Sequence, residues 1–301
     1  LVVEHPFVFA SSSADIFAES AIEILNSLKV KHIVFGSESN DTNKLTRLAK
    51  EQLENDKFIK KYLDMGVNYP TALNKITSEA INKPNDLLAI SYIKAIIKNG
   101  YDIEYVSIKR TNDFHDLTSN DKIISASNIR NKIINNEDIK NFIPEGKINK
   151  VDNELLFNIL KYKIITEPNL DKYLTVDEGI DNRLKKVIKE VTSLTELIEK
   201  TKSKRYTYNR IKRMLIHILI GLTKEDKWKL KHIEYVRILG LTSNGQSYIN
   251  SIKKDLSIPV VTKMTSFNSK INDYEFKCAQ VYELLTNDSV TEFELKNRPL
   301  R

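Results

Sequence analysis

Lys31-His32-Ile33-Val34-Phe35-Gly36-Ser37-Glu38-Ser39 decides how the first half of this chain folds. Ile33-Val34-Phe35 is a short run of β-branched and aromatic residues, stopped by a glycine and a polar turn, which reads as a strand. Upstream, Ile16, Phe17, Ala21, Ile24, Leu25 and Leu28 recur at helical spacing over residues 14–29. Before them, Leu1-Val2-Val3-Glu4-His5-Pro6-Phe7-Val8-Phe9 reads as a further apolar strand. Strand, helix, strand is the pattern of a parallel sheet with a right-handed crossover. Downstream, a polar-faced helix is expected from Asp41 to about Leu63. Another is expected from Asp86 to Lys98, closed by Asn99-Gly100. Tyr105-Val106-Ser107-Ile108 is the next strand, followed by Lys109-Arg110. Strand ends therefore fall at 36 and 110, and in such α/β sheets ligands collect at the carboxyl ends of strands.

The chain has 301 residues, which favours about two domains. Beyond about residue 150 helical periodicity takes over, over 154–165, 181–200, 205–221 and 272–286. Tyr235-Val236-Arg237-Ile238-Leu239-Gly240 reads as a short strand or a helix end. Pro144-Glu145-Gly146 is the best point for the connection between residues 1–150, the α/β part, and residues 151–301, the mainly helical part. A net charge of +7 suggests an anionic partner. Cys278 is the only cysteine, so neither an internal disulfide nor a thiolate zinc cluster can form. No apolar run approaches the roughly 20 residues of a membrane span, and no signal peptide is evident, so a cytoplasmic setting is expected. The chain opens without Met on an apolar run, which is expected of a fragment.

Four stretches carry possible chemistry. In Ile124-Ser125-Ala126-Ser127-Asn128-Ile129-Arg130, two hydroxyls stand where a helix would begin, and an arginine follows one turn later. Free backbone N–H groups, the helix dipole and a guanidinium together suit a phosphate; a plain serine N-cap is the alternative. Gly36-Ser37-Glu38-Ser39 lets the backbone approach a ligand closely, or is an ordinary strand-to-helix turn. In Lys83-Pro84-Asn85-Asp86, Asn85 or Asp86 is either the N-cap of the next helix or, for Asn85, a group able to hold a purine edge or ribose. Lys202-Ser203-Lys204-Arg205-Tyr206-Thr207-Tyr208-Asn209-Arg210-Ile211-Lys212-Arg213 places six basic residues in twelve positions with no acid. Ile211, Leu215, Ile218 and Leu219 give it an inward face, so the basic residues are expected to project as a patch suited to an RNA backbone, with the tyrosines available to stack on bases. A solvated helix face is the alternative. His115, in Phe114-His115-Asp116, has no accompanying ligand cluster, and no metal site is expected.

Taken in order, Glu4 to Ser11, Phe35 to Ser39, Lys83 to Asp86, Ile108 to Arg110, Ile124 to Arg130, Glu178 to Arg183, Lys204 to Thr207 and Val236 to Gly240 resemble the bacterial tRNA(Met) cytidine acetate ligase family over nearly the whole chain. The resemblance implies a Rossmann-like nucleotidyltransferase domain with a parallel sheet, followed by a mainly α-helical RNA-binding domain. It implies ATP-dependent acetylation of the wobble cytidine of elongator tRNA(Met), through an acetyl-adenylate made from acetate and ATP. Gly36, Asn85 and Arg110 match the family's ATP-binding positions, and Ser125, Ser127 and Arg130 would hold the β- and γ-phosphates. Lys202, Lys204, Arg205, Arg210, Lys212 and Arg213 would hold tRNA. Magnesium is expected to arrive with ATP, held largely by the phosphates. Relatives carry a first strand followed by a His-x-Gly-His turn, which is not in these residues and which His5 does not replace. The chain alone is therefore expected to bind ATP poorly and not to catalyse the reaction. Two competing readings remain: a metabolite adenylyltransferase on the same fold, and a non-catalytic RNA-binding module. No protein partner is implied.

Overall fold

The computed structural model describes every residue except 113–116, 120–122, 144–147, 297 and 301. His115, where no metal site is expected, and the expected connection at Pro144-Glu145-Gly146 lie outside the described residues.

In chain order the elements begin with β1 (Val2–Val3), α1 (Phe7–Ala10), α2 (Ala14–Ser27), β2 (His32–Ser37), α3 (Thr42–Glu54), α4 (Ile59–Asp64) and α5 (Tyr69–Lys75). They continue with α6 (Pro84–Asn99), β3 (Glu104–Lys109), α7 (Ala126–Ile134), α8 (Asn153–Thr166), α9 (Ile180–Val187), α10 (Leu194–Thr201) and α11 (Tyr208–Ile220). The last are α12 (Lys224–Lys229), β4 (Val236–Gly240), α13 (Ser243–Ile252), β5 (Val260–Val261), α14 (Lys270–Thr286) and α15 (Val290–Lys296).

β2 and β3 form a parallel pair in register, from His32 opposite Glu104 to Ser37 opposite Lys109. Both strands therefore end side by side, which brings the turn after Gly36 next to Arg110. Ile33 and Phe35 point inward against α2, α3 and α6, where Leu48 and Ile93 are fully buried. Val34, Val106 and Ile108 alternate to the other face and are exposed. Gly100, in the left-handed region at φ 61°, closes α6 as its C-terminal stop, as the sequence predicts.

The opening residues depart from the sequence reading. Only Val2–Val3 is extended, and it pairs antiparallel with β4, not with β2. Phe7–Ala10 is a helical turn whose first carbonyl, on Pro6, accepts from the N–H groups of Phe9 (3.0 Å) and Ala10 (2.9 Å). Proline is at home at a helix start, and the neighbours Val8 and Phe9 are both buried, which a strand with alternating faces cannot arrange. The strand–helix–strand unit of residues 1–35 is thus replaced by a β2–β3 pair whose crossover runs through α3 to α6. Val8 and Phe9 instead pack with Leu222, Tyr235, Val236 and Tyr274 of the second half.

That half is mainly helical, but it also carries β4, parallel to β5 and flanked by β1. The helix expected over 181–200 is two. Ser193 caps α10 by accepting from the N–H of Glu196 (3.2 Å), while the Glu196 carboxylate accepts from the N–H of Thr192 (3.0 Å). This is a variant of the capping box, and it starts a new helix where the hydrophobic spacing alone reads straight through.

Within β4, Arg237 pairs with Glu4 (3.1 Å) and with Glu294. Glu275 faces the same cluster and accepts from the N–H of Phe7. Burial, and next the nearby Glu4 charge, push the Glu275 carboxyl up to about 8. A carboxyl raised on folding binds more protons in the native state than in the unfolded chain between pH 4.5 and 8, so this group's contribution to stability falls as pH rises through that window. Glu275→Gln should match the wild-type melting temperature at pH 5 and exceed it at pH 8, measured by thermal unfolding. An equal shift at both pH values would refute the assignment.

Candidate nucleotide-binding site

The turn after β2 and the start of α6 hold each other through two carboxylates. Asp86, buried at the start of α6, accepts from the Ser37 hydroxyl (2.5 Å) and from the N–H groups of Glu38 (3.0 Å) and Ser39 (3.2 Å). In return, Glu38 accepts from the N–H of Asp86 (2.9 Å), the N–H of Asn85 (3.3 Å) and the Asn85 side-chain amide (2.7 Å). Neither Asn85 nor Asp86 is the N-cap; that position is Lys83, with Pro84 following, and no side chain caps from it. Glu38 does the capping from across the site, where the positive end of the helix dipole favours a carboxylate. Helix-start chemistry is local in sequence, so a cap donated from 47 residues away is invisible to it.

Arg110 leaves the end of β3, its N–H donating to the Ser37 carbonyl (3.0 Å). Its side chain lies across Gly36, so closely that a Cβ there would come within 3.3 Å of Arg110 Cγ. Arg110 Nη2 donates to Asn112 Oδ1 (3.1 Å), while the buried Nε has no partner among the described residues. Gly36, Asn85 and Arg110 line one cleft of about 350 Å³, with Ala21, Leu25 and Tyr92 on its apolar wall. Three of the six residues matched to ATP-binding positions thus meet in one place, brought from a strand end, a helix start and a second strand end. A mixed wall with an arginine whose Nε is unused is chemically suited to a nucleotide: flat apolar surface for a base, an amide for its edge or ribose, and a guanidinium for phosphate.

Ser125, Ser127 and Arg130 are not among the residues that line this cleft. Ser125 is buried and is the N-cap of α7, accepting from the N–H of Asn128 (3.0 Å). Ser127 is half-buried in the first turn, and Arg130 is exposed one turn on. The N-cap reading of Ser125 holds, and the Ser127 hydroxyl lies in the first turn beside it.

The basic stretch is less uniformly free than its sequence suggests. Acids absent from residues 202–213 arrive from outside it. Lys202 pairs with Glu199 (2.6 Å), Arg205 with Glu178 (2.5 Å) and Arg210 with Asp177 (3.7 Å). Arg210 also stacks on the Tyr206 ring at 4.0 Å. Tyr206 is itself buried and donates to the Asp177 carbonyl (2.6 Å), so its ring is not open to a base. Lys204, Lys212 and Arg213 form no ion pair with a described residue. The helix starts at Tyr208, with Ile211, Leu215 and Ile218 buried as its inward face and Leu219 half-buried.

Two outcomes check this geometry. Asp86→Ala leaves three donors without their acceptor and should lower unfolding free energy by about 3 kcal/mol in chemical denaturation; a change within experimental error would remove the carboxylate exchange from the account. Gly36→Ala should displace Arg110 and weaken nucleotide binding several-fold while leaving the melting temperature close to wild type.

A family model described as HIGH Nucleotidyl Transferase matches residues 1–298. The tRNA(Met) cytidine acetate ligase of Bacillus subtilis is 32% identical over 98% of this chain and 80% of its own length. That of Clostridium perfringens is 35% identical over 96% of this chain and 80% of its own length. A crystal structure of Thermotoga maritima TmcAL in an apo form superposes on the whole chain and 84% of its own with TM-score 0.88 at 24% identity, a likeness of fold. A second, of TmcAL bound with alpha-thio ATP, does so over 83% of its own chain with TM-score 0.84 at 25% identity. With a nucleotide-type cleft at the end of a parallel strand pair and matches of this extent, the chain belongs to the HIGH nucleotidyl transferases and, within them, to the tRNA(Met) cytidine acetate ligase family.

Proposed function

We propose that this protein is an ATP-dependent ligase that acetylates the wobble cytidine of elongator tRNA(Met) through acetyl-adenylate. The observation that carries the reading is the convergence of Gly36, Asn85 and Arg110 on one cleft at the ends of β2 and β3. It is supported by relatives named for this activity and by one related structure bound with an ATP analogue.

In the first step an acetate oxygen attacks the α-phosphorus of ATP, a P–O bond forms, and pyrophosphate leaves. In the second the cytidine exocyclic amine attacks the acetyl carbonyl carbon, AMP leaves, and the amine loses a proton. Neither step needs a covalent bond to the protein. What the protein must supply is alignment and positive charge. Arg110 is the residue to bear charge in the cleft, and Gly36 lets its guanidinium lie close to the strand end. Asn85, its amide held by Glu38, keeps a carbonyl for the nucleoside. Ser125, Ser127 and Arg130 at the start of α7 would hold the β- and γ-phosphates. Magnesium would come with the triphosphate, held largely by its phosphates.

The tRNA would lie on the helical half, where Lys202, Lys204, Arg205, Arg210, Lys212 and Arg213 face it. Their ion pairs rank these residues. Lys204, Lys212 and Arg213 have no carboxylate among the described residues to release, Lys212 lying only over the Tyr208 ring at 5.8 Å, whereas Lys202, Arg205 and Arg210 must first release one.

The deciding assay is ATP- and acetate-dependent formation of N4-acetylcytidine in an elongator tRNA(Met) transcript by the complete gene product. Product at the wobble position is expected; tRNA binding without product would favour a non-catalytic RNA-binding module. Arg110→Ala and Arg130→Ala should each reduce acetate-dependent ATP–pyrophosphate exchange by about 100-fold, and exchange at the wild-type rate would remove that residue from the phosphate site. A Lys204→Ala/Lys212→Ala double variant should weaken tRNA binding about tenfold at low salt and flatten its salt dependence. Arg205→Ala should weaken tRNA binding less than the double variant does, since Arg205 must first release Glu178, and should leave the melting temperature close to wild type.

A further inference from the structure

Between α1 and α11 lies an open groove of about 390 Å³ whose walls are largely apolar. Phe7 and Ala10 form one side, and Asn209, Lys212, Arg213 and Ile216 form the other. Those four fall at i, i+3, i+4 and i+7, so they make a single stripe along α11, beside the face that buries Ile211, Leu215 and Ile218.

Arg213 is the unusual member. It is half-buried, and burial followed by the charge of Arg210 lowers its pKa, yet no described carboxylate pairs with it. The neighbouring cations behave differently: Arg205 has Glu178, and Arg210 has Asp177 and the Tyr206 ring. A guanidinium that has given up part of its hydration without pairing with a described carboxylate is poised for an anion. One turn earlier, the Asn209 amide is exposed and makes no hydrogen bond to a described residue, leaving both a donor and an acceptor open. Apolar ring, open amide and half-buried cation, gathered in one groove, are the three contacts of a nucleotide: stacking, edge and phosphate.

We propose that the groove between α1 and α11 seats one unstacked nucleotide of single-stranded RNA, with the base against Phe7, its edge on Asn209, and its phosphate on Arg213 and Lys212. The inference rests on the reading of this protein as tRNA-modifying, and it adds a defined pocket to what would otherwise be a charged surface. A plain basic patch would hold double-stranded and single-stranded RNA alike. This groove would not, because paired bases cannot turn into it.

The test uses the complete protein and three probes: an elongator tRNA(Met) transcript, a single-stranded hexaribonucleotide carrying 4-thiouridine, and a blunt RNA duplex. The hexanucleotide should crosslink to peptides containing Phe7 or Asn209. Arg213→Met should weaken binding of hexanucleotide and tRNA about tenfold, Arg213→Lys should recover most of it, and duplex binding should change less than about twofold. Asn209→Ala, at an exposed position, should weaken hexanucleotide binding without altering the melting temperature, which covers the case of a misfolded Arg213 variant. Wild-type hexanucleotide affinity in both Arg213→Met and Asn209→Ala would overturn the proposal, as would an equal loss of duplex binding. Capture of the hexanucleotide through Arg213 without any binding of tRNA would uphold the groove and overturn the tRNA reading. No binding of either probe by the wild type would overturn both.

Discussion

Two carboxylates exchanged between a strand end and a helix start organise the first half of this molecule. Asp86 gathers the donors of the turn after β2, and Glu38 in that turn gathers the donors at the head of α6. Each acid satisfies groups that would otherwise be orphaned by the end of a regular element, so neither segment can be repositioned without stranding the other's donors. The consequence reaches past the turn itself. Asn85 is presented to the cleft because Glu38 holds its amide, and the backbone of Arg110 is tied to Ser37. The cleft is therefore largely preorganised before any nucleotide enters, which is the condition under which charge stabilisation costs little at the moment of reaction.

On the helical half, the same physics runs in the opposite direction. A run of six cations in one stretch of sequence would repel itself if left bare. The fold relieves half of that repulsion by bringing Asp177, Glu178 and Glu199 alongside. What remains available is narrower than the sequence suggests, and better placed. Free charge is concentrated at Lys204, Lys212 and Arg213, the last two beside an apolar groove. Steering of a polyanion depends on the whole field, while register depends on the few cations that need not trade partners.

Particular residues show how much could be read in advance. Phe35-Gly36 and Ile108-Lys109-Arg110 were legible as strand ends because local residue types mark them, and the parallel pairing follows from the helices between. The Ser125 cap and the stop at Gly100 were legible for the same reason. Glu38 was not, since its partners stand 47 positions away and nothing nearby marks a carboxylate as a cap. The opening strand failed on Pro6: apolar content pointed to a strand, but the proline starts a helical turn that buries adjacent residues. A signal for the break before α10 was present in Ser193 and Glu196, three apart, and hydrophobic spacing hid it. The acids that neutralise Arg205 and Arg210 lie far enough upstream that no window over the basic stretch includes them.

The contact between Gly36 and Arg110 has a consequence for how this sequence can vary. The space a Cβ would need at position 36 is taken by the stem of the arginine on the neighbouring strand, not by backbone. The two positions are thus tied across 74 residues of chain by one shared volume. A Cβ at 36 needs the arginine stem to give by a few tenths of an ångström, and a bulkier residue needs it to move further, which shifts where the charge at 110 is presented. Changes at the two positions should therefore be coupled, the side chain at 110 setting how large a residue position 36 can take.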